Sequence, residues 1–116
     1  MTHEQDSGTL STVAVEVMMT LAEGPLHGYA IKQRIEERVG DNFILGSGSL
    51  YQALQRLERR GMVAESAARD DADARRGRVY RLEPVGRTAL ANELGRMKRL
   101  LSDARRQQIA IGTEEG

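Results

Sequence analysis

Hydrophobic residues recur every three or four positions in four stretches of the chain, a spacing that is typical of helices burying one face. The pattern predicts helices from 10 to 22, from 29 to 38 or 39, from 47 to 60, and from 84 to 108 or 111. The first helix is apolar on several faces, which favours burial between two layers of structure. Its β-branched residues leave a strand from 13 to 17 as an alternative.

The third helix has the most complete set of sequence signals. Ser47 or Ser49 is expected to cap its N-terminus, because a short hydroxyl side chain accepts hydrogen bonds from the first free amides. Gly61 follows its last turn, where a left-handed residue is favoured. One side of the helix is apolar and predicts a core face of Leu50, Ala53, Leu54 and Leu57. The other side carries Gln52, Gln55, Arg56 and Arg59.

After Gly61 the hydrophobic pattern changes to the alternation of strands. Residues 62–67 and Val79–Leu82 are predicted to form a two-stranded hairpin, which must lean on the helices because a lone hairpin is unstable. A charged loop joins the two strands and contains Arg75, Arg76 and Arg78. Two helices joined by a short turn and followed by such a hairpin predict a winged helix-turn-helix.

The last helix carries a seam of apolar residues spaced by four, three, four and three: Leu90, Leu94, Met97, Leu101 and Ala104. A helix of this length is too long for the small domain to cover its whole seam. Together with the apolar first helix, the seam predicts a symmetric dimer, and the expected interface residues are Val13, Val17, Leu90, Leu94, Met97 and Leu101. A helix folded back on its own domain is the alternative.

These elements divide the chain into four parts. We expect a disordered N-terminus over 1–9, a winged helix-turn-helix DNA-binding domain over 10–83, a C-terminal dimerisation helix over 84–111, and a disordered tail over 112–116. The fold class is therefore mainly α with a small β-hairpin. A possible effector pocket lies between the first and last helices and would be lined by Met18, Met19, Leu94 and Met97, although methionines at helical spacing are more often core.

Charge is distributed unevenly along a chain whose formal net charge is zero. Residues 1–45 contain three basic and seven acidic side chains, whereas residues 46–106 contain fourteen basic and eight acidic ones. A neutral chain with one basic half indicates a one-sided electrostatic surface. That surface favours a nucleic-acid partner for the third helix and the wing.

Several other chemistries are excluded or disfavoured by composition. The chain has no cysteine, so disulfides and thiol catalysis are excluded. It has no apolar run long enough to cross a membrane and a polar N-terminus unlike a signal peptide, so a cytoplasmic location without membrane contact is expected. Asp70, Asp71 and Asp73 lack the glycine and distal glutamate of a calcium loop. We expect no metal, no cofactor and no enzyme activity.

The expected DNA-binding residues fall into two groups. Arginine and glutamine side chains suit base edges in the major groove, so the base readers would be Gln52, Gln55, Arg56 and Arg59. Phosphate contacts are expected from Ser49, Tyr51, Arg75, Arg76 and Arg78. An ordinary amphipathic surface helix beside a solvated loop is the alternative interpretation of the same residues.

Three motifs resemble the PadR family of transcriptional regulators. They are the stretch from Gly24 to Ile31, the stretch Gly48-Ser49-Leu50-Tyr51 with the leucines, Glu58 and Gly61 that follow, and the stretch from Arg78 to Gly86. The resemblance covers about 10 to 106 and is similar to the small subgroup with a single C-terminal helix. It implies a homodimeric winged-helix regulator, usually a repressor, whose last helix dimerises.

The chain departs from the family pattern at a few positions. Gln52 stands where the family often has proline, and Glu83 where it often has threonine, which weakens the expected cap of the last helix. There is no tryptophan, so the aromatic drug cage of some small members is not expected.

The expected function is sequence-specific binding of double-stranded DNA by a homodimer. The partner would be an inverted-repeat operator, nearby genes would be repressed, and a small-molecule effector could release the protein. The alternative function is a winged-helix dimer that acts as a protein- or ligand-binding module with little specific DNA binding.

Overall fold

The computed structural model describes residues 10–40, 46–67, 72 and 77–112. Along the chain lie helix α1 (Thr12–Leu21), strand β1 (Leu26–His27), helix α2 (Gly28–Val39), helix α3 (Ser47–Arg59), strands β2 (Val63–Ser66) and β3 (Val79–Leu82), and helix α4 (Pro84–Arg106). The predicted fold class is confirmed: a helical protein with a small antiparallel sheet in winged-helix order. The two tails predicted to be disordered, apart from Gly112, lie outside the described residues.

Helix α1 is the centre of the fold and forms as a helix throughout, not as the alternative strand. Ser11 caps its N-terminus, since its hydroxyl accepts a hydrogen bond from the Ala14 amide at 3.1 Å. Helix α1 packs against α2, α3, α4 and β3. Its buried residues therefore occupy more than one face, as the sequence predicts: Ala14, Val15, Val17, Met18, Thr20 and Leu21.

Helix α3 ends as predicted but begins differently. The N-cap residue is Gly46, whose carbonyl accepts the Leu50 amide at 3.1 Å, so the prediction of Ser47 or Ser49 as the cap is wrong. Both serines already lie inside the first helical turn, because the extended backbone that precedes the helix falls on Gly46. At the other end Gly61 takes a φ of 73°.

The left-handed Gly61 satisfies the end of α3 through a Schellman arrangement. Its amide donates to the Glu58 carbonyl, and the Met62 amide donates to the Leu57 carbonyl, each at 3.0 Å. Leu57 and Met62 are both buried, which adds the usual apolar contact across the turn. This turn directs the chain into strand β2.

The sheet has three strands in the order β1-β3-β2, where the sequence predicts two. Strand β1 pairs with β3 through Leu26 opposite Tyr80, and β2 pairs with β3 from Val63 opposite Leu82 to Ser66 opposite Val79. Two residues cannot display an alternating pattern, so β1 is invisible to periodicity. Its pairing fixes the segment before α2 to the base of the wing.

Helix α4 begins at Pro84 and ends at Arg106, a few residues before the predicted end at 108 or 111. Gln108 takes a φ of 61°, and the Ile109 amide returns to the Ala104 carbonyl at 2.9 Å. The helix therefore stops in a left-handed turn formed by a residue other than glycine. Glu83, at the N-cap, makes no side-chain capping bond.

The predicted seam of α4 divides between two environments. Leu90 is 5% exposed and Met97 packs against the core, whereas Leu94 and Leu101 are 40% and 45% exposed. Val17, on α1, is fully buried. The assignment of Val17 and Leu90 to a dimer interface is therefore corrected, because the chain's own core already covers both residues.

Gly86 lets the start of α4 approach the turn after α3. The Glu83 amide donates to the Met62 carbonyl at 2.9 Å, and a Cβ at Gly86 would overlap that carbonyl oxygen and lie 2.8 Å from Leu82 Cδ1. Neither obstacle can move freely, since one is backbone and the other is packed against the core.

Glu93 is a carboxylate enclosed at the junction of α4 and the segment before α1. It is 6% exposed, accepts hydrogen bonds from Arg96 at 2.5 and 3.1 Å, and also receives the Leu10 amide. The Arg96 guanidinium holds the pKa of the Glu93 carboxyl below its ordinary value of 4.5, against the opposing effect of burial. The charged form thus ties the start of the chain to α4.

Replacing Gly86 by alanine should lower the free energy of unfolding by about 1–3 kcal/mol, because the new methyl group displaces backbone. Gly95→Ala is the matched control in the same helix, where the Cβ meets only Arg99 Nη1 at 3.8 Å. It should raise stability by about 1 kcal/mol through helix propensity. Chemical denaturation followed by circular dichroism measures both, and equal effects of the two substitutions would contradict the packing described.

The Glu93–Arg96 pair should contribute to acid sensitivity. Because the folded-state pKa is lowered, the stabilisation is complete above the unfolded value of 4.5 and is lost as pH falls from there through the folded pKa. Glu93→Gln should therefore flatten the fall of the unfolding free energy with pH below about 5. An acid dependence identical to that of the wild type, measured by denaturation at a series of pH values, would refute this role.

Candidate nucleic-acid interface

The outer face of α3 presents a row of polar side chains to solvent. Gln52, Gln55, Arg56 and Arg59 are all exposed, and Ser49 is exposed at the N-terminal end. The opposite face is held in the core by Leu50, Leu54 and Leu57. The structure therefore brings together the predicted base readers on one surface and fixes the direction in which it faces.

Tyr51 has a packing role in addition to the predicted phosphate contact. Its side chain is 46% exposed, but its hydroxyl lies 2.7 Å from the position of a Cβ on Gly28, at the first residue of α2. The contact joins the beginnings of α2 and α3. A glycine at 28 permits this approach, so Tyr51 helps to set the angle of the helix-turn-helix.

Arg78 is the described arginine of the predicted wing set, since Arg75 and Arg76 lie outside the described residues. Its side chain is exposed, and its Nε lies 3.6 Å from Glu65 Oε2 on the neighbouring strand. A hydrogen bond to the Tyr80 phenol, with Glu65 nearby, raises the pKa of Arg78 above its ordinary value. The guanidinium therefore remains charged beside α3.

An open groove of about 450 Å³ separates the polar face of α3 from the base of the wing. Four residues line this α3–wing groove: Gln55, Glu58, Arg59 and Arg78. Two guanidinium groups and an amide can donate hydrogen bonds to phosphate oxygens, as a DNA backbone requires. Glu58 introduces a negative charge that limits how strongly the groove attracts anions.

Sequence reasoning missed the partners of this groove. Glu58 was read as part of a motif, and Glu65 and Tyr80 were placed on strands without a role. The spacing of Arg78 and Tyr80, two apart on a strand and so on one face, was the available signal. Glu65 could not be connected to them without the pairing register that sets it opposite Tyr80.

Several basic residues elsewhere are engaged within the chain. Arg81 donates to Glu83 at 2.8 Å and to the Glu65 carbonyl at 2.7 Å. Arg38, on α2, binds Glu16 of α1 at 2.5 Å. The raw count of basic side chains therefore overstates the charge available to a ligand, and the exposed arginines of α3 and Arg78 carry more of it than the count suggests.

The predicted effector pocket is not assembled in the form expected. Met18 is fully buried in the core and Met97 packs against that core, whereas Met19 and Leu94 are each 40% exposed. The assignment of Met18 to a pocket is corrected, because its side chain is already enclosed by neighbouring helices.

Within the described parts of the chain, no group of three or more histidine, aspartate or glutamate side chains could hold a metal ion. The predicted weak calcium candidates Asp70, Asp71 and Asp73 lie outside those parts. Over the same described residues, none of the helices is both long and apolar enough to cross a membrane.

An exposed polar helix behind a helix-turn connection, flanked by a hairpin with an arginine at its base, defines the winged-helix class of DNA-binding regulators. Comparison with known proteins agrees: residues 17–92 match the transcriptional regulator PadR-like family. The chain belongs to that family. It is accordingly a DNA-binding regulator and not an enzyme, and the predicted resemblance is confirmed.

Individual relatives show how far the similarity extends. The chain is 45% identical over 84 residues, or 72% of its length, to an uncharacterized 37.1 kDa protein in transposon TN4556 of Streptomyces fradiae, of which it spans only 22%. It is 30% identical over 83 residues to the transcriptional regulator Rv3488 of Mycobacterium tuberculosis, covering 72% of this chain and 73% of that protein.

A solved structure shares the fold. A PadR family transcription regulator from Clostridium difficile superimposes with a TM-score of 0.69 at 20% identity, over 84% of this chain and 99% of that one. At this identity the likeness concerns the fold alone.

Proposed function

We propose that the protein is a homodimeric repressor that recognises an inverted-repeat operator in double-stranded DNA. The observation that carries the proposal is the exposed row of glutamines and arginines on α3, adjoining the α3–wing groove. In such a fold α3 enters the major groove and the wing meets the sugar-phosphate backbone. A DNA target also implies a cytoplasmic location.

Base recognition is assigned to the outer face of α3. Arg56 can offer two parallel donors to guanine, and Gln52 or Gln55 can offer a donor and an acceptor to adenine. The core contacts of Leu50 and Leu54 hold this face in one orientation, so the side chains are presented on a rigid element. Phosphate contacts are assigned to Arg78 and, outside the described residues, to Arg75 and Arg76.

Dimerisation is assigned to the second half of α4. The helix has 23 residues, or about 34 Å at the usual rise, and its last ten lie beyond the contact of Met97 with the core. Leu94 and Leu101 are seven residues apart and so lie on the same side of the helix. A second copy would cover these exposed leucines and bring two α3 helices to two half-sites.

Effector control, if the protein has it, belongs to the same junction. Met19 and Leu94 are exposed apolar side chains on α1 and α4, the helices that pack together in this chain. A small apolar molecule bound there in the dimer would alter the spacing of the two α3 helices and release the operator. Neither side chain is needed for the core of the monomer.

Selection of the purified protein against a random duplex pool tests the function. An inverted repeat with half-sites about one helical turn apart, or a multiple of it, is the expected product. Failure to enrich any sequence, together with weak binding at physiological salt, would contradict the repressor and favour the alternative of a protein- or ligand-binding module.

Arg56→Ala should weaken binding to the selected duplex by about 1–3 kcal/mol, because one bidentate base contact is lost. Binding to an unrelated duplex should change less, so sequence preference relaxes. Arg99→Ala, which removes an exposed arginine from α4, is the matched control and should retain selectivity. Fluorescence anisotropy titrations of both duplexes provide the measurement, and unchanged selectivity in Arg56→Ala would overturn the assignment of α3.

Leu101→Glu should convert the dimer to a monomer, since it places a charge in the proposed contact. Val85→Glu is the matched control, because Val85 is also an exposed apolar residue of α4, at 56%, but lies outside the seam. Sedimentation velocity at several protein concentrations distinguishes the two species. A Leu101→Glu protein that sediments like the wild type would exclude this interface.

A further inference from the structure

The α3–wing groove contains an arginine whose position depends on an otherwise unassigned residue. Arg78 lies two residues before Tyr80, so the two side chains project from the same face of β3. Glu65 is directly opposite Tyr80 in the β2–β3 register. These three side chains therefore meet at the base of the wing, with Glu58 of α3 acting on both Tyr80 and Arg78 from the facing helix.

Tyr80 and Arg78 differ sharply in their freedom to move. Tyr80 is 2% exposed and belongs to the core cluster that also contains Leu54 and Leu57 of α3. The Arg78 side chain is 63% exposed, with many accessible rotamers apart from its contacts. A hydrogen bond from the mobile guanidinium to a fixed phenol restricts the arginine before any ligand arrives.

The second anchor of Arg78 is weaker and replaceable. Glu65 Oε2 lies 3.6 Å from Arg78 Nε, within ion-pair range but beyond a normal hydrogen bond, and its side chain is half exposed. An exposed pair of this kind contributes little free energy. A phosphate oxygen could therefore displace Glu65 while the phenol contact persists.

We propose that Tyr80 is a positioning residue, whose buried phenol holds the Arg78 guanidinium in the α3–wing groove to receive a DNA phosphate, with Glu65 as the internal anion that the phosphate replaces. The proposal rests on the function proposed above and deepens it. Prepositioning reduces the side-chain entropy lost on binding. It also links the wing to α3, because the core residues that fix Tyr80 include those that fix α3.

The test is a double-mutant cycle between Tyr80→Phe and Arg78→Gln, read as DNA affinity at several salt concentrations. The probes are the duplex selected from the random pool and a scrambled duplex of equal length. Tyr80→Phe removes only the hydroxyl and keeps the buried ring. Arg99→Gln is the matched control for loss of one positive charge, and thermal melting checks that each variant is folded.

Arg78→Gln is expected to weaken both duplexes by a similar factor and to reduce the salt slope by about 0.9. Tyr80→Phe should weaken both by about 2- to 5-fold, a part of the ordering cost of an arginine side chain. In the Arg78→Gln background it should have no further effect. Additive losses, or no loss in Tyr80→Phe, would overturn the proposal, and a purely structural tyrosine would give additive losses.

Glu65→Gln supplies a result of the opposite sign. It should tighten binding by about twofold, since the internal competitor of the phosphate is removed. That gain should vanish when Arg78 is glutamine, whereas a general reduction of negative charge would persist. Wild-type binding without coupling contradicts the role of Tyr80 alone, and a wild type that binds no duplex contradicts the proposed function as well.

Discussion

The burial of helix α1 is the constraint on which the other parts of the structure depend. Its apolar residues contact α2, α3, α4 and β3, and Val17, Met18 and Leu21 are almost completely removed from solvent. Each such side chain contributes about 1.5–3 kcal/mol on transfer from water. A disturbance of α1 would therefore loosen the helix-turn-helix, the wing and α4 together, and the polar face of α3 would lose its fixed direction.

Close backbone approaches convert this packing into a defined surface. Gly28 admits the Tyr51 hydroxyl beside the start of α2, and Gly86 admits the Met62 carbonyl beside the start of α4. Gly61 turns the chain from α3 into the sheet, whose central strand carries Tyr80 into the core. The outcome is that α3 and the base of the wing share supporting residues, so the groove between them has a set width.

The sequence predicted the helices well, because each is long enough for its periodicity to be clear. It missed β1, since two residues show no pattern, and misplaced the cap of α3, since the choice of Gly46 depends on where the backbone becomes extended. Periodicity identified an apolar face of α1 and α4 but not what covers it, so Val17 and Leu90 were assigned to a partner. The Tyr80 and Glu65 contacts required the strand register, which no local signal supplies.

Chemical methylation interference on the selected duplex would test most directly whether α3 binds in the major groove. One reagent marks guanine N7 in the major groove and adenine N3 in the minor groove. We expect interference at guanine N7 in two patches, on one side of the duplex and about 10 base pairs apart. Interference confined to adenine N3, or a single patch without symmetry, would contradict recognition by two α3 helices.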